Sequence, residues 1–431
     1  VSDHVHALNG PHSPDRERPA RSAVKPGDPT SQMLLAPRQS TGARRARLGI
    51  VGALTTVVMA AGLTMPAAAS SAPYAGDGHR ATEAALDAVV RDGPPGGIAA
   101  VMRGRDTWEG RAGLADLSTG RQPGAGDRFR VGSITKTFVA TVMLELEATG
   151  KLSLDDTVDR WLPGLVEGNG HDGSQIKLRQ LLDHTSGIYS YTDDADFKRK
   201  EFSTAFLRHR YDTWTPEQIV RLAMTHQPTF APDSKQWAYS DTNYVLAGMV
   251  IQKATGHPYA REIEQRILRP LHLDSTTLPG TRVRVPGPSG RAYSKLSGEL
   301  AGPGEPNGVM YDVTELNPSL AGAAGEMIST TRDLNRFYQA LLSGRLLKKR
   351  QMKEMFTAVS ISGVQGVSYG LGLMKRALSC GIEVWGHNGG IQGSISQTMA
   401  TTDGGHVLSL NFNGDWNVHE QQVVRAEFCG A

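Results

Sequence analysis

The sequence predicts an α/β protein of the α+β type: an antiparallel sheet flanked by helices, with a mostly helical lobe inserted into it. Three observations carry this. Strand-like alternation lies near the two ends of the chain beyond residue 80, the long middle is helix-like, and the last strands turn about Asp403-Gly404-Gly405. A sheet assembled from both ends around an insertion accommodates all three.

The elements follow in order. Residues 82–90 read as a helix, with Ala84, Leu86, Val89 and Val90 apolar, and 97–102 and 107–114 read as two antiparallel strands. A helix then starts near Ser133, where Phe138, Val142 and Leu146 share one face and Gly150 stands at a C-cap position. From 152 to 330 helix-like and loop segments dominate, including 216–224, 242–254 and 260–268. An amphipathic helix is expected over 332–342. Residues 395–401 and 406–412 form a hairpin pattern, and 417–428 close the chain as a helix. There is no internal repeat.

At 431 residues, 39% hydrophobic and 21% charged, the chain has the composition of a globular protein, and its 49 glycines and 23 prolines suit a loop-rich enzyme. A formal net charge of +3 and the lack of a basic stripe argue against nucleic acid as a partner. The 13 histidines show no metal-ligand spacing, so neither a metal nor another cofactor is expected.

The amino-terminal region differs from the rest. Residues 1–43 read as disordered, or as an over-called leader with translation starting at Met33. Residues 44–69 read as a signal peptide: Arg44-Arg45-Ala46-Arg47, the apolar run 48–65, and the small residues Ala67-Ala68-Ala69. A membrane anchor is the alternative, but the adjacent cleavage pattern favours removal. The expectation is a secreted monomer without stable membrane insertion. Its domain spans 76–431, with an α/β lobe of about 76–140 plus 305–431 and a helical lobe of about 141–304.

Chemistry is concentrated in three segments. Ser133 and Lys136 are three apart at the start of a helix, so the lysine amine can reach the serine hydroxyl. A serine needs a base to become a nucleophile, and a desolvated lysine can be one. The second segment is Trp237-Ala238-Tyr239-Ser240-Asp241-Thr242-Asn243, and the third is Trp385-Gly386-His387-Asn388-Gly389-Gly390. Singly, each has a plain structural alternative: Ser133 as a helix N-cap, Tyr239 as a core tyrosine, Asn388-Gly389 as a turn. Their joint occurrence in this order favours a site.

In these motifs the chain resembles the serine β-lactamase/DD-peptidase superfamily, in the branch of class C β-lactamases, secreted D-alanyl-D-alanine carboxypeptidases and related esterases. The resemblance covers roughly 94–430. It includes Leu181-Leu182-Asp183-His184-Thr185-Ser186-Gly187 and Ala324-Gly325-Glu326-Met327-Ile328-Ser329-Thr330. It implies a β-lactamase/transpeptidase-like fold and a serine hydrolase acting on a peptide, ester or β-lactam. Ser133 would attack, with Lys136 and Tyr239 sharing the proton. His387 would bond Tyr239 or a substrate carboxylate, and the N–H groups of Ser133 and Gly390 would hold the oxyanion. Gly389 and Gly390 would let substrate lie close to the strand.

The chain departs from the family at two places. Asp241 stands where the family has Asn, and a carboxylate beside Lys136 favours the ammonium. Asn388 and Gly390 replace hydroxyl residues, leaving Arg376 or Lys375 as carboxylate partners, of which only one can face the cleft. Cys380 and Cys429 match cysteines of the similar secreted carboxypeptidases and imply a disulfide. His184 is expected to be structural. The resemblance implies a carboxypeptidase, with an esterase, β-lactamase or D-amino-acid amidase as alternatives, and a non-catalytic wall-peptide-binding protein as a third reading.

Overall fold

The computed structural model describes residues 78–296, 309–361 and 363–430. The leader and signal peptide expected over 1–43 and 44–69 lie outside the described residues. Eight strands form one antiparallel sheet: β1 (Gly96–Arg103), β2 (Asp106–Gly113), β3 (Val359–Ser360), β4 (Val367–Tyr369), β5 (Met374–Ala377), β6 (Glu383–Ile391), β7 (Ser394–Thr401) and β8 (His406–Phe412). Their order is β2-β1-β8-β7-β6-β5-β4-β3, so strands from both ends of the described chain meet at β1 and β8. This is the sheet expected from the sequence.

Helices cover both faces. On one, α1 (Arg80–Asp92) and α7 (Glu420–Cys429) pack together over the sheet. Leu86, Val89, Val423 and Phe428 meet Val101, Leu408, Leu410 and Phe412 there. The Cys380–Cys429 disulfide, with Cα atoms 5.7 Å apart, ties the β5–β6 turn to the end of α7. On the other face, α6 (Thr331–Leu342) crosses β1 and β8, and α2 (Thr135–Ala148) lies deeper. The helical region adds α3 (Ala195–Phe202), α4 (Pro216–Met224) and α5 (Asp241–Thr255), with α5 packed against α2.

Sequence chemistry explains the local boundaries. Helix α2 is buried nearly all round, as a helix apolar on several faces must be, and Gly150 follows its end at φ +71°. Thr215 caps α4 by accepting from Gln218 N, with Pro216 at the first helical position. The closing helix begins at Glu420 rather than at 417, because Asn417 takes a left-handed φ of 50° that interrupts helical geometry. The expected helix 260–268 is two pieces, an α-turn Tyr259–Ile263 and a π-turn Glu264–Leu268.

Candidate active site

Ser133 lies in a one-turn 3-10 segment, Gly132–Ile134, that leads into α2. The turn presses against β6: a Cβ on Gly132, at φ +54°, would sit 2.7 Å from Gly390 N. A Cβ on Gly389 would lie 1.9 Å from Val131 O and 2.8 Å from Ser133 N. Only glycine at both positions permits this approach. Strand β6 pairs with β5 only as far as Gly386, while β7 continues to Ile391. The outer edge of β6 beyond Gly386 is therefore free of β5 just where it meets Ser133.

Lys136 is fully buried, and its amine has three acceptors. They are Ser133 Oγ at 2.9 Å, Asp241 Oδ1 at 2.7 Å and Ala324 O at 2.7 Å. As an ammonium it donates to all three. As a neutral amine it can donate to Asp241 and Ala324 and turn its lone pair to the Ser133 hydroxyl, which is the geometry of a base. Burial pushes its pKa down, and the Asp241 charge opposes that shift. Ser133 does not cap a helix: α2 has Ile134 at its N-cap, with no side-chain bond there.

Asp241 begins α5, where the helix dipole favours a carboxylate. Both its oxygens are occupied, Oδ1 by Lys136 and Oδ2 by the Thr192 hydroxyl at 3.0 Å, and its N–H donates to Ser190 Oγ. The structure thus places Asp241 on the lysine. Tyr239 keeps some surface, but its ring packs among His184, Trp237 and Tyr369. Burial and then the Asp241 charge hold its phenol well above the usual range, with the Ser133 hydroxyl opposing. The Lys136 amine lies 4.9 Å from the centre of the Tyr239 ring.

His387 is not where the sequence suggested. It is fully buried on β6, its Nε2 lies 2.7 Å from Tyr369 Oη, and its Nδ1 contacts Asn388 O. Both nitrogens are thus engaged, and among the described residues no hydrogen bond joins it to Tyr239. Burial, then the Lys136 charge, push its pKa down to about 3, so it is neutral at ordinary pH. Arg376 is also displaced from the expectation. It pairs across from Val384, three residues from His387, and therefore stands on the other face of the sheet, toward α7 and Glu420. Lys375, opposite Trp385, shares the His387 face but is bound to Glu383 at 2.6 Å. Asn388 pairs with Gln397, which bonds Gln421 of α7.

The structure thus brings together Ser133, Lys136, Tyr239, Asp241, Gly389 and Gly390, bonds His387 to Tyr369, and turns Arg376 to the other face of the sheet. Sequence reasoning did not find Thr192, the Ala324 carbonyl or Tyr369. None stands in a reactive pattern, and a backbone carbonyl leaves no trace in residue type. The assembled groups can perform acyl transfer: a hydroxyl, an adjacent buried amine, a phenol, and two backbone N–H groups brought close by glycines.

Comparison with known proteins agrees with this geometry. The chain is 57% identical to a D-stereospecific amidohydrolase from Streptomyces sp., covering 82% of this chain and 99% of that one, with a TM-score of 0.77. It is 29% identical to the D-amino acid amidase from Ochrobactrum anthropi SV3 complexed with D-phenylalanine, covering 83% and 100%, with a TM-score of 0.70. It is 28% identical to penicillin-binding protein 4* of Bacillus subtilis over 73% of this chain and 67% of that protein. The sequence model of the Beta-lactamase family matches residues 80–425. With its antiparallel sheet, its Ser133–Lys136 pair and a family match over most of its length, the chain belongs to the Beta-lactamase family and is a serine hydrolase of that fold.

Proposed function

We propose that the protein hydrolyses amides of D-amino acids through an acyl-enzyme on Ser133. The observation that carries this reading is the state of the groups offered for a substrate's terminal carboxylate. His387 is buried and doubly bonded, Lys375 is held by Glu383, and Arg376 faces α7. A carboxypeptidase must hold a charged carboxylate, which is costly to leave unpaired in a cleft. An amide with a neutral leaving group makes no such demand. The names of the similar D-stereospecific amidohydrolase and D-amino acid amidase support the same substrate class.

In this reaction Ser133 Oγ attacks the amide carbon while its proton passes to neutral Lys136. The N–H groups of Ser133 and Gly390 hold the oxyanion, each such donor being worth about 2.7–4 kcal/mol in a comparable hydrolase. The C–N bond breaks as Tyr239 or Lys136 protonates the departing nitrogen, and water then attacks the ester to release the acid. Export is part of the proposal, supported by the signal pattern over 44–69 and by a disulfide suited to an oxidising compartment.

The test offers the protein D- and L-phenylalanine amide, a D-Ala-D-Ala peptide, a short-chain ester and a fluorescent penicillin. Turnover of the D-amide should exceed that of its L isomer and of the D-Ala-D-Ala peptide, and Ser133→Ala should abolish it with the fold intact. Faster release of D-alanine from the peptide, or no preference between D and L amides, would refute the reading.

A further inference from the structure

The loop Asp183-His184-Thr185-Ser186-Gly187 lies directly behind the Tyr239 segment, and its histidine is fully buried. His184 holds a left-handed φ of 62°, a conformation uncommon for residues other than glycine. Its carbonyl accepts from Ala238 N at 3.2 Å, and its Nδ1 accepts from Ser240 N at 3.2 Å. The residues on both sides of Tyr239 are therefore tied to one histidine. Asn243 Nδ2 reaches the same Nδ1 at 3.2 Å, and Ser186 Oγ donates to Asn243 Oδ1 at 2.7 Å. The imidazole also packs on the phenol, with ring centres 4.3 Å apart, and touches Tyr369 at 4.9 Å.

We propose that His184 is a positioning residue for Tyr239, fixing the phenol beside Ser133 by holding the main chain on both sides of it and backing its ring. Two features of the site support the assignment. An Nδ1 that accepts from a backbone N–H must be unprotonated, which puts the proton on Nε2 and requires a neutral ring. Burial and the neighbouring Lys136 charge push the His184 pKa well down, so the neutral ring persists at working pH. A charged ring would lose the Ser240 bond and release the segment. The inference rests on the proposed chemistry, in which Tyr239 moves a proton between Ser133 and the leaving group.

His184→Asn keeps an acceptor near the Nδ1 position and tolerates a left-handed backbone, whereas His184→Gln moves the amide one bond too far. In single-turnover acylation by a D-amino acid anilide, His184→Gln should slow the step about a hundredfold, the cost of a misplaced reacting group, with KM little changed. His184→Asn should restore the rate to within about threefold of wild type, a difference below one typical hydrogen bond. Equal losses in both variants, tracking a fall in Tm, would reduce His184 to a structural residue and overturn the proposal. Nitrogen-15 spectra of the native protein give a reading independent of variant folding. They should show His184 as the Nε2–H tautomer across pH 5–8, and an Nδ1–H or charged ring would overturn the assignment. Tyr239→Phe separates the two levels. If it is slow while His184→Gln is normal, positioning alone fails; if it is normal, the proton role of Tyr239 and the inference fall together.

Discussion

Lys136 is surrounded by three acceptors, and the balance between its burial and the Asp241 charge sets how much of it is a free amine. Replacing Asp241 by Asn removes the influence that raises its pKa and leaves burial, which lowers it. More of the lysine is then neutral at a given pH. The acid limb of kcat/KM should move to lower pH in Asp241→Asn, read from rates between pH 5 and 9 with the D-amide. The plateau should change by no more than about tenfold, because an Asn oxygen can still accept from the lysine. An unmoved limb would show that Lys136 is not the titrating base. The sequence made this pair legible, since Asp241 follows Tyr239 by two positions. It did not reveal that Thr192 takes the second carboxylate oxygen, because that contact spans 49 positions and links residue types common in any loop. His387 shows the same limit. The family resemblance implied its strand, but its bond to Tyr369 depends on β4, a three-residue strand too short to announce itself.

At the scale of elements, the site is a junction between the turn ahead of α2 and the free edge of β6. The junction depends on glycine more than on any reactive side chain. Gly389→Ala would drive a methyl group to 1.9 Å from Val131 O and within 2.8 Å of Ser133 N, and backbone cannot yield as a side chain would. The strand must move off the Ser133 turn, spoiling the alignment of the Ser133 and Gly390 N–H groups. Turnover should fall about a hundredfold or more, comparable to losing an oxyanion donor. Gly126→Ala, whose added Cβ has Pro288 Cγ at 3.9 Å as its nearest neighbour among the described residues, should leave rate and Tm unchanged as a control. Steady-state kinetics with thermal melts on both variants decide the matter, and a fully active Gly389→Ala would show that β6 does not frame the oxyanion site. The hairpin of β7 and β8 was legible because Asp403-Gly404-Gly405 marks its turn between alternating runs. The short strands β3, β4 and β5 offered two to four residues each, below the length at which alternation can be recognised.

Across the whole molecule, the hairpin that carries β6 past Ser133 is anchored at its tip by a residue far along the chain. Gly393 N donates to Asp415 Oδ2 at 2.9 Å, and Gln392 donates to Glu201 O of α3 at 2.8 Å, so the tip joins the sheet to the helical region. Asp415 is nearly inaccessible, its Oδ1 has no hydrogen-bond partner among the described residues, and burial, opposed by bonds from Gly393 N and Ser294, raises its pKa to about 6 from 3.8. Between those two values the folded protein binds a proton that the unfolded chain has released. Stability from this group is thus fully present below about pH 4 and is lost as pH rises through about 6. At neutral pH the buried charge costs roughly 2–3 kcal/mol by that linkage. His387 works in the opposite direction: its depressed pKa means that the unfolded chain gains the extra proton as pH falls below the ordinary histidine value. The slope of the native protein is a difference between such groups, so the informative quantity is the change made by Asp415→Asn. This variant keeps an acceptor for Gly393 N and never ionises. Its denaturant midpoint should match wild type near pH 4 and exceed it at pH 7.5, the gap opening through pH 5–6. A gap that is constant with pH, or a variant weaker at pH 7.5, would mean that Asp415 holds the tip as a charged group.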